Sequence, residues 1–406
     1  TFSKLLDTLE IDQPEWNEFA KVEQAFKFAK EVGYPVLVRP SYVLSGAAMS
    51  VAKNEESLDS YLAKAVRISK EAPVVISKFL TNAKEIEIDA VAHKGEILIW
   101  AISEHIENAG VHSGDATIVL PPQKLYFETI KRVRNITKKI ARALNITGPF
   151  NIQFLAKDNE IKVIECNLRA SRSFPFASKV TGHNFIDIAV LGMLGIVESK
   201  EKRKAKYHTL DLDHVGVKAS QFSFSRLKGA DPVLGVEMAS TGEVACFGDD
   251  MYEAFLKSMI AVGLKLPKKN VLLSVGSIED KASFFMSAKK LIELGFEIYA
   301  TEGTSAFLRD NGLKAKTVYK LSASAKDSKL SPTMLDVLES REVDLVINIP
   351  KTYSKEEITD GYRIRRTAID LNIPLITNLQ LAKVLVESIS RYSLADLKIK
   401  SWDEYA

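Results

Sequence analysis

Cysteine is almost missing: Cys166 and Cys246 are the only two in 406 residues, so a disulfide framework is excluded and a reducing compartment is favoured. The six histidines show no His-x-x-x-His spacing and no Cys-x-x-Cys occurs, so a zinc site is not expected. No apolar run approaches the roughly 20 residues that cross a bilayer, and no leader opens the chain; no membrane partner is expected. Neither sign of charge dominates, with 55 Lys and Arg against 52 Asp and Glu. Without a long basic run, nucleic acid is not expected as the main partner either. The one basic stretch, Lys200–Lys206 (KEKRKAK), reads as an exposed linker. The first residue is Thr1 rather than Met, which reads as a chain trimmed at its N-terminus. The length suits two to three domains.

What is present centres on Phe150–Arg172, FNIQFLAKDNEIKVIECNLRASR. Apolar-rich runs Phe150–Ala156 and Glu160–Cys166 flank the polar turn Lys157-Asp158-Asn159, the pattern of an antiparallel hairpin. Symmetry about Asn159 sets Gln153 opposite Glu165 and Asn151 opposite Asn167, all four on one face. A carboxylate flanked by amide oxygens suits a hard dication such as Mg²⁺ sharing its sphere with phosphate. Arg169, just past the strand, would meet a transferring phosphoryl group. On the hairpin alone, a solvated outer face is an equal reading.

The preceding chain reads as α+β with mixed or antiparallel strands. Helical spacing over Val22–Val32 ends at Gly33, strand Val36–Val38 runs into Arg39, and Pro40–Met49 (PSYVLSGAAM) is a small-residue loop. Such a loop lets backbone N–H groups approach a phosphate, although no Gly-Lys-Ser/Thr makes it a P-loop. A helix over Leu58–Ile68 leads to strand Val74–Phe79 with Lys78. The runs Glu85–Ala92 and Glu96–Ala101 form a second expected hairpin. On it Glu85, Glu87 and Asp89 alternate with apolar residues, so most of these acids are expected to be solvated, with Lys78 or a cation pairing one or two. Ser103–Asp115 (SEHIENAGVHSGD) reads as a binding loop, followed by a helix over Tyr126–Leu144. Phe174–Gly195 reads as helical, Gln221–Gly248 as loop-rich, and Met251–Val262 as a helix. From Asn270 the pattern is strand Val271–Val275, helix Lys281–Leu294, strand Phe296–Ala300, helix from Thr304, strand Asp344–Ile349, helix Asp360–Asp370, strand Pro374–Thr377 and a final helix. This alternation predicts a parallel sheet with ligands at its carboxyl edge. Thr301-Glu302-Gly303-Thr304, Asn348 and Lys320 mark that edge as a phosphate or carboxylate site, with helix capping by Thr301 or Thr304 as the plain alternative.

The strings RPSYVLSGAAM, EHIENAGVHSGD, GPFNIQF, VIECNLRASRSFPF and EMASTGEV resemble the C-terminal half of the carbamoyl-phosphate synthetase large chain. ATEGTSAFL, DLVINIPK and GYRIRRTAIDLNIPLITN are similar to that family's regulatory domain, which shares its fold with methylglyoxal synthase. The resemblance implies an α+β ATP-grasp unit lacking its preceding subdomain over residues 1–265 (lid about 14–80, core about 81–265). An α/β parallel-sheet, methylglyoxal-synthase-like regulatory domain over 266–406 would follow. It further implies ATP-dependent phosphorylation of carbamate to carbamoyl phosphate within arginine or pyrimidine biosynthesis. Arg39 would hold phosphates, and Lys78, Leu80 and Glu85 would line base and ribose. Gly110, Val111, His112 and Ser113 would contact nucleotide or a structural K⁺ site shared with Glu85 and His105. Gln153, Glu165 and Asn167 would coordinate Mg²⁺ or Mn²⁺, and Arg169 would stabilise the phosphoryl group in flight.

Implied partners are the synthetase's N-terminal half, a glutaminase subunit or domain, and further copies in a homo-oligomer. A small phosphorylated or carboxylate effector would bind at Thr301, Thr304, Lys320 and Asn348, and Lys320 favours the phosphorylated kind. The implied location is cytoplasmic, with a mitochondrial one also admitted. Competing readings are a non-catalytic effector-binding or assembly fragment and another ATP-grasp ligase. Lyase chemistry in the last domain is disfavoured, with only Glu302 and Asp310 as carboxylates near the Thr301–Thr304 loop.

Overall fold

The computed structural model describes residues 2–40, 49–68, 73–197, 212–321, 332–350 and 355–405. The basic stretch Lys200–Lys206 and residues 41–48 of the small-residue loop lie outside them. Two compact units are formed, one by Thr1–Lys218, Leu234–Ala239 and Lys400–Ala406, the other by Ala219–Val233 and Ser240–Ile399. Among the described residues no helix is long and apolar enough to cross a membrane.

The first unit opens with α1 (Phe2–Thr8), then a small sheet of β1 (Trp16–Phe19), β2 (Val36–Pro40), β3 (Ser50–Ala52) and β4 (Val74–Lys78), in the order β1-β4-β2-β3. Helices α2 (Val22–Val32) and α3 (Glu55–Ile68) cover it. Their apolar residues recur at helical spacing, so Ala25, Ala29, Leu58, Leu62 and Ala65 pack on Val36, Val38 and Ile76.

The larger sheet contains β5 (Lys84–His93), β6 (Glu96–Asn108), β7 (Ile118–Leu120), β8 (Gly148–Lys157), β9 (Glu160–Asn167) and β10 (Val215–Gln221). Its strands run in the order β10-β7-β6-β5-β8-β9, and every one of these pairs is antiparallel. Helix α4 (Phe127–Ala143) presents Ile130, Val133 and Ile140 to one face, where Ile86, Ile88, Phe150, Ile152 and Phe154 form the core. Helices α5 (Phe174–Thr181) and α6 (Phe185–Met193) follow β9, within the stretch Phe174–Gly195 expected to be mostly helical. The break falls at Gly182, whose left-handed φ of 68° ends the first helix, and at Asn184, which caps the second.

Three expectations are corrected in this unit. Ser103–Asn108 is not loop but the end of β6, because its apolar and polar residues continue the strand alternation. Glu85, Glu87 and Asp89 are not solvated: they are 6, 2 and 2% exposed, since β5 has a neighbour on each side and its polar face is covered by chain. The hairpin turn has two residues, Asp158 and Asn159, with φ of 51° and 65°, as a type I′ turn requires. Pairing starts at Lys157 with Glu160, and a bulge beyond Phe154/Val163 shifts the register by one residue. Gln153 therefore meets Glu165 and Asn151 meets Asn167, the pairs that symmetry about Asn159 predicts.

In the second unit β11 (Gly242–Gly248) and α7 (Met251–Ala261) precede a five-stranded sheet. That sheet comprises β12 (Asn270–Val275), β13 (Glu297–Thr301), β14 (Lys316–Val318), β15 (Leu345–Ile349) and β16 (Leu375–Ile376), ordered β14-β13-β12-β15-β16. All four pairings are parallel. Helices α8 (Ile278–Glu293), α9 (Glu302–Asp310), α10 (Met334–Glu339), α11 (Lys355–Asp370) and α12 (Leu379–Arg391) accompany it. The alternation from Asn270 read this sheet, but β14 and α10 were missed because each is short. The loop-rich stretch Gln221–Gly248 ends in strand β11. The chain leaves β12 to one side and returns to the other, so a crevice opens at the carboxyl ends of β12, β13 and β15.

Candidate functional site

Strands β2, β4, β8 and β9 and the loop after β6 bring their polar residues to one cleft of about 140 Å³ in the first unit. Arg39, Lys78, Leu80, Glu85, Gly110, Val111, His112, Ser113, Gln153 and Glu165 all line it. Phe79, Leu155 and Val163 add apolar wall, suited to a flat heterocycle. Gly110 adopts φ +119°, and a Cβ there would stand 3.1 Å from the Phe79 ring, so the loop passes the wall only as glycine. Lys78 does not pair with the acids of β5; its Nζ donates to Gly33 O at 2.7 Å and Tyr34 O at 3.3 Å. The Arg39 Nε is buried with no hydrogen-bond partner among the described residues. Burial lowers its guanidinium below the ordinary value, against the opposing charge of Glu165. A cationic donor so placed fits an incoming anion.

On the hairpin, Gln153 Nε2 donates to Ser113 Oγ at 2.9 Å and Asn167 Nδ2 to Glu165 Oε1 at 2.7 Å. Asn151 is withdrawn from this set: 1% exposed, it donates to Asp89 Oδ1 at 2.9 Å. Asn167 touches the cleft through Glu165. Arg169 is outside the lining and exposed, with Nη1 donating to Ala170 O at 3.2 Å.

Below the cleft lies the acidic face that sequence reading assigned to solvent. His105 Nε2 bonds Glu87 Oε1 at 2.9 Å, and its Nδ1 is 3.9 Å from Glu85 Oε2. Thr117 donates to Glu107 from both N and Oγ1, at 2.9 and 3.1 Å. Burial pushes Glu85 up to about 7, relieved in part by His105. Burial alone would lower His105, but Glu85, Glu87 and Glu107 outweigh it and raise its value. For Glu87, burial is outweighed by the hydrogen bond and charge of His105 and by Lys218, so its carboxyl lies below the ordinary range. The signal for a buried face was available in the length of β5, ten residues, enough to cross a sheet that chain covers on both faces.

Since Glu85 titrates near 7 folded against 4.5 ordinarily, its contribution to stability is full below about 4.5 and is lost as pH rises through 7. Glu85→Gln removes that loss. Thermal melts should show the variant gaining on the wild type by roughly 2–3 kcal/mol between pH 5 and pH 8; parallel melts at both pH values would refute it.

In the second unit, Thr301, Thr304, Lys320 and Asn348 line a second cavity of about 210 Å³ with Ser274, Lys281, Asp231 and Arg365. Thr301 makes no side-chain cap bond to the helix it precedes. Thr304 Oγ1 accepts from Val275 N at 3.0 Å, joining α9 to β12. Sequence reading missed Arg365 and Asp231. Arg365 donates to both Asp231 oxygens, at 2.7 and 2.5 Å, and to Asn348 Oδ1 at 2.8 Å. The GYRIRR string was the available signal, but nothing in it told which arginine turns inward.

An antiparallel sheet holding such a cleft with a smaller strand-and-helix layer defines an ATP-grasp fold. The biotin carboxylase domain of 2-oxoglutarate carboxylase from Hydrogenobacter thermophilus matches it with a TM-score of 0.52 and 16% identity, over 64% of this chain and 63% of that one. The family described as carbamoyl-phosphate synthase L chain, ATP binding domain, matches residues 1–195, and the MGS-like domain family matches residues 284–377. Multifunctional protein pyrABCN of Emericella nidulans is 53% identical over 96% of this chain and 17% of its own length. The human mitochondrial carbamoyl-phosphate synthase [ammonia] is 45% identical over 98% of this chain and 26% of its own. The chain belongs to the carbamoyl-phosphate synthetase large-chain family and corresponds to its C-terminal half. It spans only about a sixth to a quarter of the length of these relatives.

Proposed function

We propose that the first unit transfers the γ-phosphoryl group of ATP to carbamate, and that the second binds an anionic effector. The observation that carries the first part is the convergence of Arg39, Gly110–Ser113, Gln153 and Glu165, from separate stretches of chain, on one cleft. A carbamate oxygen attacks the γ-phosphorus while the bond to the β-phosphate oxygen breaks, giving carbamoyl phosphate and ADP with no net proton released. Leu80, Val111 and the Lys78 stem receive the base, Glu85 faces the ribose, and Arg39 meets the phosphates. Gln153, Glu165 and Asn167 offer one carboxylate and two amides, too little charge to hold a dication alone but suited to Mg²⁺ or Mn²⁺ arriving with nucleotide. When bound, the ion neutralises phosphate charge. Arg169, in the loop after β9, would orient carbamate and meet the phosphoryl group. A K⁺ site at Glu85, His105 and the Gly110–Ser113 loop fits a buried carboxyl pushed up to about 7, which a cation would draw down.

The reading extends to a boundary near residue 266 between ATP-grasp and MGS-like domains. Its partners are a bicarbonate-activating half, a glutaminase and further copies of the chain, in the cytoplasm, or in mitochondria as for the relative so named. Another ATP-grasp acceptor is the alternative. ATP formation from carbamoyl phosphate and Mg-ADP by this chain tests the proposal. No ATP despite ADP binding would make it a binding fragment.

At the effector cavity, Lys281, Lys320 and the hydroxyls of Thr301 and Thr304 suit a phosphorylated ligand, with Arg365 already occupied by Asp231. Lys320→Ala should weaken nucleoside monophosphate binding about tenfold by calorimetry, one charge-assisted contact's worth. Equal affinity in both proteins would remove Lys320 from the site.

A further inference from the structure

Between Asn167, the last residue of β9, and Phe174, the first of α5, runs a short loop carrying both Arg169 and Arg172 on its exposed side. Its underside is held from below by one buried residue. Asp89, 2% exposed on β5, accepts from Ser171 Oγ at 2.6 Å through Oδ1 and from Ser173 Oγ at 2.7 Å through Oδ2. Asn151 Nδ2 completes the set at 2.9 Å. Ser173 stands at the N-cap of α5, where serine ordinarily accepts from a helix N–H, yet it makes no cap bond. Its hydroxyl is given to Asp89 instead, and the two serine hydroxyls lie 2.9 Å apart over the carboxylate. A buried carboxylate beside Glu87 is costly to place, and neither Asp89 nor the serines line the nucleotide cleft.

We propose that Asp89 is a positioning residue for phosphoryl transfer: by taking one hydroxyl on each oxygen it fixes the Leu168–Ser173 loop and thereby the direction of Arg169. Asn151, on the same carboxylate, ties that loop to β8, the strand that also carries Gln153. The inference rests on the phosphotransfer reading of Arg169 for its catalytic consequence, but not for its structural one. Asparagine at position 89 keeps the shape and offers only one acceptor oxygen, so one serine loses its partner.

Two readouts separate the possibilities. Trypsin cleavage after Arg169 and Arg172, followed by mass spectrometry, should quicken about tenfold in Asp89→Asn and in Ser171→Ala, as loss of a hydrogen bond to a charged group predicts. Cleavage after Lys162, within β9, should not change. The double variant Asp89→Asn/Ser171→Ala should quicken by less than the product of the two single effects, because both changes act on the one Ser171–Asp89–Ser173 cluster. In the ATP-forming assay, kcat should fall roughly 10- to 100-fold with the KM for ADP unchanged, and Ser171→Thr should restore it over Ser171→Ala. Loop cleavage unchanged in both single variants, or cleavage after Lys162 rising equally, overturns the proposal. If Asp89→Asn does not fold, Ser171→Ala decides by the same criteria. If the wild type forms no ATP, the phosphotransfer reading fails and proteolysis alone judges Asp89.

Discussion

Glu165→Gln should lower ATP formation from carbamoyl phosphate and Mg-ADP by about 10³-fold, the upper end of what one preorganised electrostatic group supplies. Glu165 is the one carboxylate among the three proposed hairpin ligands, and it faces Arg39 across the cleft. Glutamine keeps the length and one oxygen but removes the negative charge that would hold the dication against the phosphates. Metal-free ADP binding should change less than threefold, since the apolar wall and Arg39 stay in place, whereas the Mg²⁺ concentration for half-maximal rate should rise. Asn167 retains an oxygen to donate to at position 165, so hairpin geometry survives. Activity within threefold of wild type would mean that charge at position 165 is not used in the transfer.

Phe154→Ala should have the largest effect on stability. The ring is fully buried in the core formed with Ile86, Ile152 and Ile161, one residue from Gln153 and on the opposite face of β8. Truncation removes most of an aromatic side chain from a packed layer, a loss of about 3–5 kcal/mol. For a unit of this size that corresponds to a fall of roughly 6–20 °C in melting temperature. The three tryptophans, Trp16, Trp100 and Trp402, all belong to the first unit, so their fluorescence reads its unfolding without contribution from the second. A shift under about 2 °C would show that the layer closes over the gap.

Those two residues also mark how much of the site can be read from the chain. The facing of Gln153 to Glu165 follows from period two and a turn centred near Asn159. It survives a register error near the turn only because the bulge restores it. Asn151 shares the predicted face yet turns its amide to Asp89, since its surroundings are carboxylates rather than solvent. The same period placed Glu85, Glu87 and Asp89 together and misjudged them as wet. Alternation tells which residues share a face and nothing about what covers it. In the second unit, Thr301, Thr304, Lys320 and Asn348 were assembled from strand ends, but Asp231 lies far off in the chain and only the fold brings it to Arg365.

The sequence by itself determined most of the longer local elements, the βα alternation after Asn270, the hairpin and its facing pairs. Each depends on side-chain directions repeating over a few residues, or on turn chemistry carried by Asp158 and Asn159. Tertiary structure decided which faces are buried, which acids share a proton-binding environment with His105, and which loop Asp89 holds. Burial, dielectric and hydrogen-bond partnership depend on what packs above a residue. For β5 those neighbours come from β6, β8 and the Ser171–Ser173 loop, stretches separated from it by as many as 86 positions.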